Sequence, residues 1–164
     1  LVPCNDLWGE CTIYDHDPSV GEYTDVVYTP MTPHQSWGVW DNSGEILEGS
    51  VDFRGRDRTL SAQTLNADFN PDHLGEYAPG STYLYGGRMN AHYGHFIVNT
   101  LPRLWPVLSG AYGHLPILCH DTSVPALWFR HPFLAEIFGR LNISPERFVT
   151  FDRRIRIRRL VVPR

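Results

Sequence analysis

From Tyr83 onward the sequence alternates short β-favouring runs with stretches of helical hydrophobic period, and that alternation leaves few folds open. Tyr83-Leu84-Tyr85 leads into Gly86-Gly87. From Gly94 the apolar residues Phe96, Ile97, Leu101, Leu104, Trp105 and Leu108 recur at helical spacing, with Pro102 and Pro106 expected to kink or shorten the helix. Residues Leu115 to Cys119 read as a buried strand, and Pro125 opens a second helix whose apolar set is Leu127, Phe129, Phe133, Leu134, Ile137 and Phe138. Ser144-Pro145-Glu146 makes a turn, Phe148 to Phe151 a brief strand, and Ile155 to Val162 a longer one. Strands alternating with helices imply parallel βαβ units with right-handed crossovers. The expectation is a Rossmann-like, three-layer α/β unit with residues 83–85, 115–119 and 157–162 in one mainly parallel sheet.

Residues 1–75 have a different grammar. Gly, Pro, Asp and Ser separate short β-favouring runs at Tyr23 to Tyr28 and Trp37 to Trp40, which reads as a β-rich lead-in. Within it Asp41-Asn42-Ser43-Gly44 should close a hairpin between residues 38–40 and 45–47. Residues 66–81, with Asn70-Pro71-Asp72 and Ala78-Pro79-Gly80, read as a connection, so the lead-in (1–75) and the α/β unit (76–164) are the expected parts.

Hydrophobic residues make up 42% of the 164, enough to build a core. A formal charge of -4 gives no reason to expect a nucleic acid or an anionic membrane as partner. No window approaches the roughly 18 apolar residues of a membrane helix, and no signal peptide opens the chain, so a soluble, cytoplasmic protein is expected. Cys4 and Cys11 are close enough to pair locally, while Cys119 should be a buried free thiol; neither CxxC nor HExxH spacing is present to hold a metal. The opening at Leu1 without Met, and the stop at Arg164 just after an apolar run, suggest a fragment.

The densest polar cluster is Arg88-Met89-Asn90-Ala91-His92-Tyr93-Gly94-His95, between a strand end and a helix start. Ligands of open α/β sheets bind outside the carboxyl ends of strands. Gly94 is expected to permit a sharp turn or the close approach of a ligand, and a histidine there exchanges a proton near neutral pH, as a general base must. On spacing alone, helix capping or a backbone hydrogen bond remains the default for His92 and His95. Gly86-Gly87 is neither GxGxxG nor a P-loop, so a phosphate cradle has almost no support. The run Arg153 to Arg159 alternates with Ile155 and Ile157, which fits a solvated strand face before it fits a phosphate-binding surface.

The segment Tyr93-Gly94-His95-Phe96-Ile97-Val98-Asn99-Thr100-Leu101-Pro102-Arg103-Leu104-Trp105 resembles the signature of glycosyltransferase family 61, with Leu141 to Arg147 and Ile157 to Pro163 following as the next segments in order. The resemblance covers residues 83–164 well and the first 75 loosely, as in bacterial members linked to capsular or exopolysaccharide synthesis. It implies the first, acceptor-side lobe of a type B glycosyltransferase fold, with the carboxyl-terminal donor lobe that holds the nucleotide sugar absent from this chain. No cofactor or metal is implied here; the partners are a saccharide or other hydroxyl acceptor and the missing lobe. His95 matches the family's histidine after glycine and is the implied catalytic base. His92, Asn99 and Arg103 are the acceptor-binding candidates, the last two at i+4 and i+8 from His95 on one expected helix face, with helix packing as the alternative for both.

Two other classes stand beside this one. A non-catalytic carbohydrate-binding module would stack sugar on exposed Trp and Tyr of the lead-in, which 5 Trp and 8 Tyr in the chain permit. A metal-dependent hydrolase built on His92, His95 and Asp121 has the least support from spacing.

Overall fold

Apolar side chains of alternate residues sort onto two faces of one six-stranded mixed sheet, and the two faces are covered by different means. The structure, a computed structural model, describes residues 17–32, 37–47, 49–54, 59–60, 63 and 75–164. Cys4, Cys11 and residues 66–74 of the expected connection lie outside the described residues. The strands are β1 (Val20–Thr29), β2 (Gly38–Trp40), β5 (Thr82–Arg88), β6 (Ile117–His120), β7 (Phe148–Val149) and β8 (Ile155–Pro163), in the order β2-β1-β8-β5-β6-β7. A separate two-stranded pair, β3 (Phe53–Arg54) and β4 (Thr59–Leu60), stands outside this sheet.

The three segments expected in one sheet are there. β5 is parallel to both β6 and β8, and β7 is parallel to β6. The lead-in joins them, because β1 lies antiparallel along β8 and β2 antiparallel along β1. The expected hairpin closes as well. Asp41 Oδ1 accepts hydrogen bonds from the Ser43 and Glu45 amides, at 2.8 and 3.0 Å, and Trp40 bridges Ile46. Partial desolvation works against the Asp41 carboxylate, but the bonds from Ser43, Glu45 and Gly44 hold its pKa below the usual value.

All described helices pack on one face, where Leu84, Ile117, Cys119 and Val161 meet Phe96, Leu104, Trp128, Leu134 and Phe138. The expected third, helical layer is absent among the described residues. Instead the sheet coils over its second face. The pairing of β1 with β8 steps from Thr24↔Arg159 to Val26↔Ile157, with Asp25 between them at φ 54. Ile157 and Leu160, three residues apart, therefore both enter the second core. Beyond this bend Tyr28 of β1 reaches β6, with β8 and β5 between them in the sheet order, and donates to the Cys119 carbonyl at 3.0 Å. That contact requires the β1–β8 ribbon to lie across Tyr85 and Leu118 in the place of helices.

The helices themselves depart from their expected outlines where prolines act. α1 (Tyr93–His95) widens into a π-helical turn (Phe96–Thr100) and then tightens into a 3-10 helix (Leu101–Leu108). In an α-helix, Pro102 would offer no N–H to the Val98 carbonyl and its ring would clash there. The chain widens one residue before it, and the Leu101 amide bonds the Phe96 carbonyl, five residues back. A 3-10 helix repeats every three residues, so Val107 is buried beneath Leu104 and Leu108, expected in the core, is 73% exposed. The single helix expected from Pro125 is two, α2 (Pro125–Trp128) and α3 (Pro132–Arg140). Pro132 forces His131 to extended backbone (φ -84, ψ 115) and restarts the helix, which buries Trp128 and leaves Leu127 exposed. α3 ends at Asn142 (φ 53), and the amides of Ile143 and Asn142 return to the carbonyls of Phe138 and Gly139.

Candidate functional site

β5 leads by sequence into β6 on one side, whereas β8, reached later from β7, returns to its other side, so the strand order reverses about β5. Crevices at such reversals, outside the carboxyl ends of strands, are the usual ligand sites of open α/β sheets. Here the β8 side of the crevice is filled by the chain itself. Arg103 donates to the Val51 carbonyl at 2.8 Å and the Gly49 carbonyl at 3.4 Å, and its guanidinium stands over the Tyr85 ring at 5.8 Å. Gly49 in turn lies against Val162 and Pro163 at the end of β8.

Gly86 and Gly87 make this closure possible. A Cβ at Gly86 would sit 2.7 Å from Cys119 Sγ, and one at Gly87 2.3 Å from Arg103 Nη1; Gly87 also has φ 75, at a register shift of β5 on β6. Their role is packing. Arg103, expected near an acceptor, is half-buried and committed to backbone carbonyls of the lead-in.

The histidine loop leaves β5 on its open side. Thr100 Oγ1 donates to the Arg88 carbonyl at 2.8 Å, the Met89 amide to the His120 carbonyl at 2.8 Å, and the His92 amide to Asn90 Oδ1 at 2.9 Å. These bonds fix the backbone where it turns from strand to helix. His92 is exposed and makes no side-chain cap, and His95 is half-buried, their ring centroids 5.2 Å apart. Tyr93, 61% exposed, sets its ring edge against Phe133 of α3 at 5.4 Å. Gly94 is exposed and helical, and the nearest atom to a Cβ there is 3.6 Å away, so neither a sharp turn nor close packing explains it. Asn99 is half-buried in the π turn, whose wider winding breaks the i+4 and i+8 alignment expected from an α-helix.

One strand over, the carboxyl end of β6 carries a third histidine that sequence reasoning did not single out. His120 is fully buried, and neither ring nitrogen has a hydrogen-bond partner among the described residues. Its ring is stacked on Tyr28 at 4.4 Å, with Trp37 at 4.8 Å and Tyr85 at 5.8 Å around it. Burial, with Arg103 adding to it, pushes its pKa down to about 3, so the imidazole is neutral. The only signal in the sequence is its position at the end of the apolar run from Leu115. Burial likewise raises the Cys119 thiol far above its ordinary value.

After β6 and β7 the chain opens a cleft of ≈ 280 Å³ between segments 30–32, 121–124 and 150–152. Asp121 is a fixture of its wall, taking bonds from the Thr122 amide, Ser123 Oγ and Trp128 Nε1 at 2.7, 2.6 and 2.5 Å. Among the described residues no three His, Cys, Asp or Glu side chains gather as a metal site, so His92, His95 and Asp121 do not form the ligand set of a hydrolase. Of the aromatic residues that a binding module would use, Tyr28, Trp37 and Trp40 are buried and Tyr23 is half-buried, while Trp8 and Tyr14 lie outside the described residues. The arginine run is largely spent on ion pairs, Arg153 with Glu76, Arg156 with Asp25 and Arg159 with Glu22. No helix among the described residues is long and apolar enough to cross a membrane. No protein-family model, curated protein or solved structure matches the chain.

Proposed function

We propose that the chain is the acceptor-side part of an inverting, metal-independent glycosyltransferase resembling family 61, acting in surface polysaccharide synthesis, with His95 as the general base. The observation that carries this reading is the pair of rings at His92 and His95, 5.2 Å apart on a loop tied down by backbone hydrogen bonds beyond the carboxyl end of β5. His95 takes the proton of an acceptor hydroxyl as that oxygen attacks the anomeric carbon, and the bond from that carbon to the nucleoside diphosphate breaks. His92 and Asn99 are the acceptor-binding residues of this reading. Arg103 acts one step back, by holding the lead-in against the helical stretch that carries Asn99. The donor site belongs to a second lobe, and the filled crevice beside β8 supports that division of labour. Calorimetry of the chain with uridine and guanosine diphosphate sugars tests it: no binding in the micromolar range is expected, and micromolar binding would place a donor site on this lobe and overturn the division.

A further inference from the structure

We infer that the cleft beyond β6 and β7 is a subsite for one sugar ring of a neutral saccharide. Its ≈ 280 Å³ is at the lower end of ligand-site volumes, room for a ring and too little for a nucleotide sugar. The lining is two-sided. Met31, Val124 and Phe151 offer apolar surface, while Thr32, Thr150 and Asp152 offer hydroxyls and a carboxylate. A pyranose has the matching character, with an apolar C–H face and a rim of hydroxyls that donate and accept. Among the described residues no Arg or His lines the cleft, and Asp121 and Asp152 both do, so a phosphate or carboxylate ligand would meet like charge from them.

Asp121 already accepts three hydrogen bonds, two of them at Oδ2, whereas Asp152 is exposed with no hydrogen bond to the described chain, which makes it the freer carboxylate to receive ligand hydroxyls. The cleft and the His92–His95 loop stand on the same edge of the sheet, with β6 between β5 and β7. Two strand spacings are about 10 Å, a span an oligosaccharide bridges. The cleft's place as a distal acceptor subsite rests on the transferase reading, whereas its binding of sugar does not.

Amide chemical shifts of the ¹⁵N-labelled chain, titrated with the methyl glycosides of glucose, galactose and mannose and separately with uridine diphosphate, test the inference. At least one glycoside should give saturable, millimolar shifts in residues 30–32, 121–124 and 150–152. Asp152→Ala should weaken that binding at least ten-fold with the melting temperature unchanged, and uridine diphosphate should leave those residues in place. Silence with all three glycosides, equal binding by Asp152→Ala, or a response to uridine diphosphate instead would overturn it. The titration reads binding without turnover, so its failure and a failure of the transferase reading are separate outcomes.

Discussion

The carboxyl ends of two adjacent strands place histidine in opposite circumstances. Beyond β5, His92 and His95 lie on a loop whose backbone is tied down by bonds from the Thr100 hydroxyl and to the Asn90 side chain, with the His92 ring exposed and the His95 ring half-buried. At the end of β6, His120 is sealed among Tyr28, Trp37 and Tyr85 without a hydrogen bond to the described residues, and serves as a flat plate on which the folded-over ribbon rests. The residue type is the same, and what covers it decides its chemistry. The first pair stands at an open loop; the second ring is kept neutral by the layer above it.

That contrast can be broken first at His120. Its pKa of about 3 lies below the ordinary 6.5, so between those values the unfolded chain binds a proton that the native chain refuses. The stabilisation of the neutral form is therefore complete above pH 6.5 and is lost as the pH falls toward 3, with a slope near 1.4 kcal/mol per pH unit. His120→Phe keeps a flat ring in the box and should remove that slope from urea unfolding curves measured between pH 6.5 and 3.5. Identical pH dependence in both proteins would show that His120 is protonated in the fold.

The next effect separates a packing glycine from an open one. Gly87→Ala forces a side chain onto φ 75 and into Arg103 Nη1, so unfolding midpoints should report a loss of about 2 kcal/mol or more. Gly94→Ala, in helical backbone where a Cβ would meet the His92 ring at an ordinary 3.6 Å, should change stability by less than about 1 kcal/mol, and toward greater stability. A large loss at Gly94 would mean that its loop is packed as tightly as the end of β6.

Much of the sheet was legible because burial on two faces leaves a local trace. Leu84, Ile117 and Val161 sit in apolar runs bounded by turn formers, and within the expected segments β5 pairs in parallel with 117–119 and with 159–161. Prolines marked the helical irregularities, but the effect of Pro132 shows that a helical hydrophobic period can run through a break unaltered. The coiling of β1 over β6 was illegible because it depends on contacts across long separations, such as that of Tyr28 with Cys119, which no local pattern records. At the candidate site the loop's position followed from the strand-to-helix change at Arg88 to Tyr93. The occupation of Arg103 by the Gly49 and Val51 carbonyls, and the burial of His120, depend on the same long-range folding of the lead-in.

The central claim is that His95, and not its neighbour in the same loop, is the base. In an enzyme carrying this chain as its first lobe, turnover of sugar transfer should fall ~10²–10⁴-fold in His95→Ala, the range typical of losing a general base. His92→Ala should fall clearly less, and the melting temperatures of both should match the parent's because neither ring is buried in a core. Equal losses in the two variants, accompanied by lowered melting temperatures, would contradict the account and make the loop a structural element.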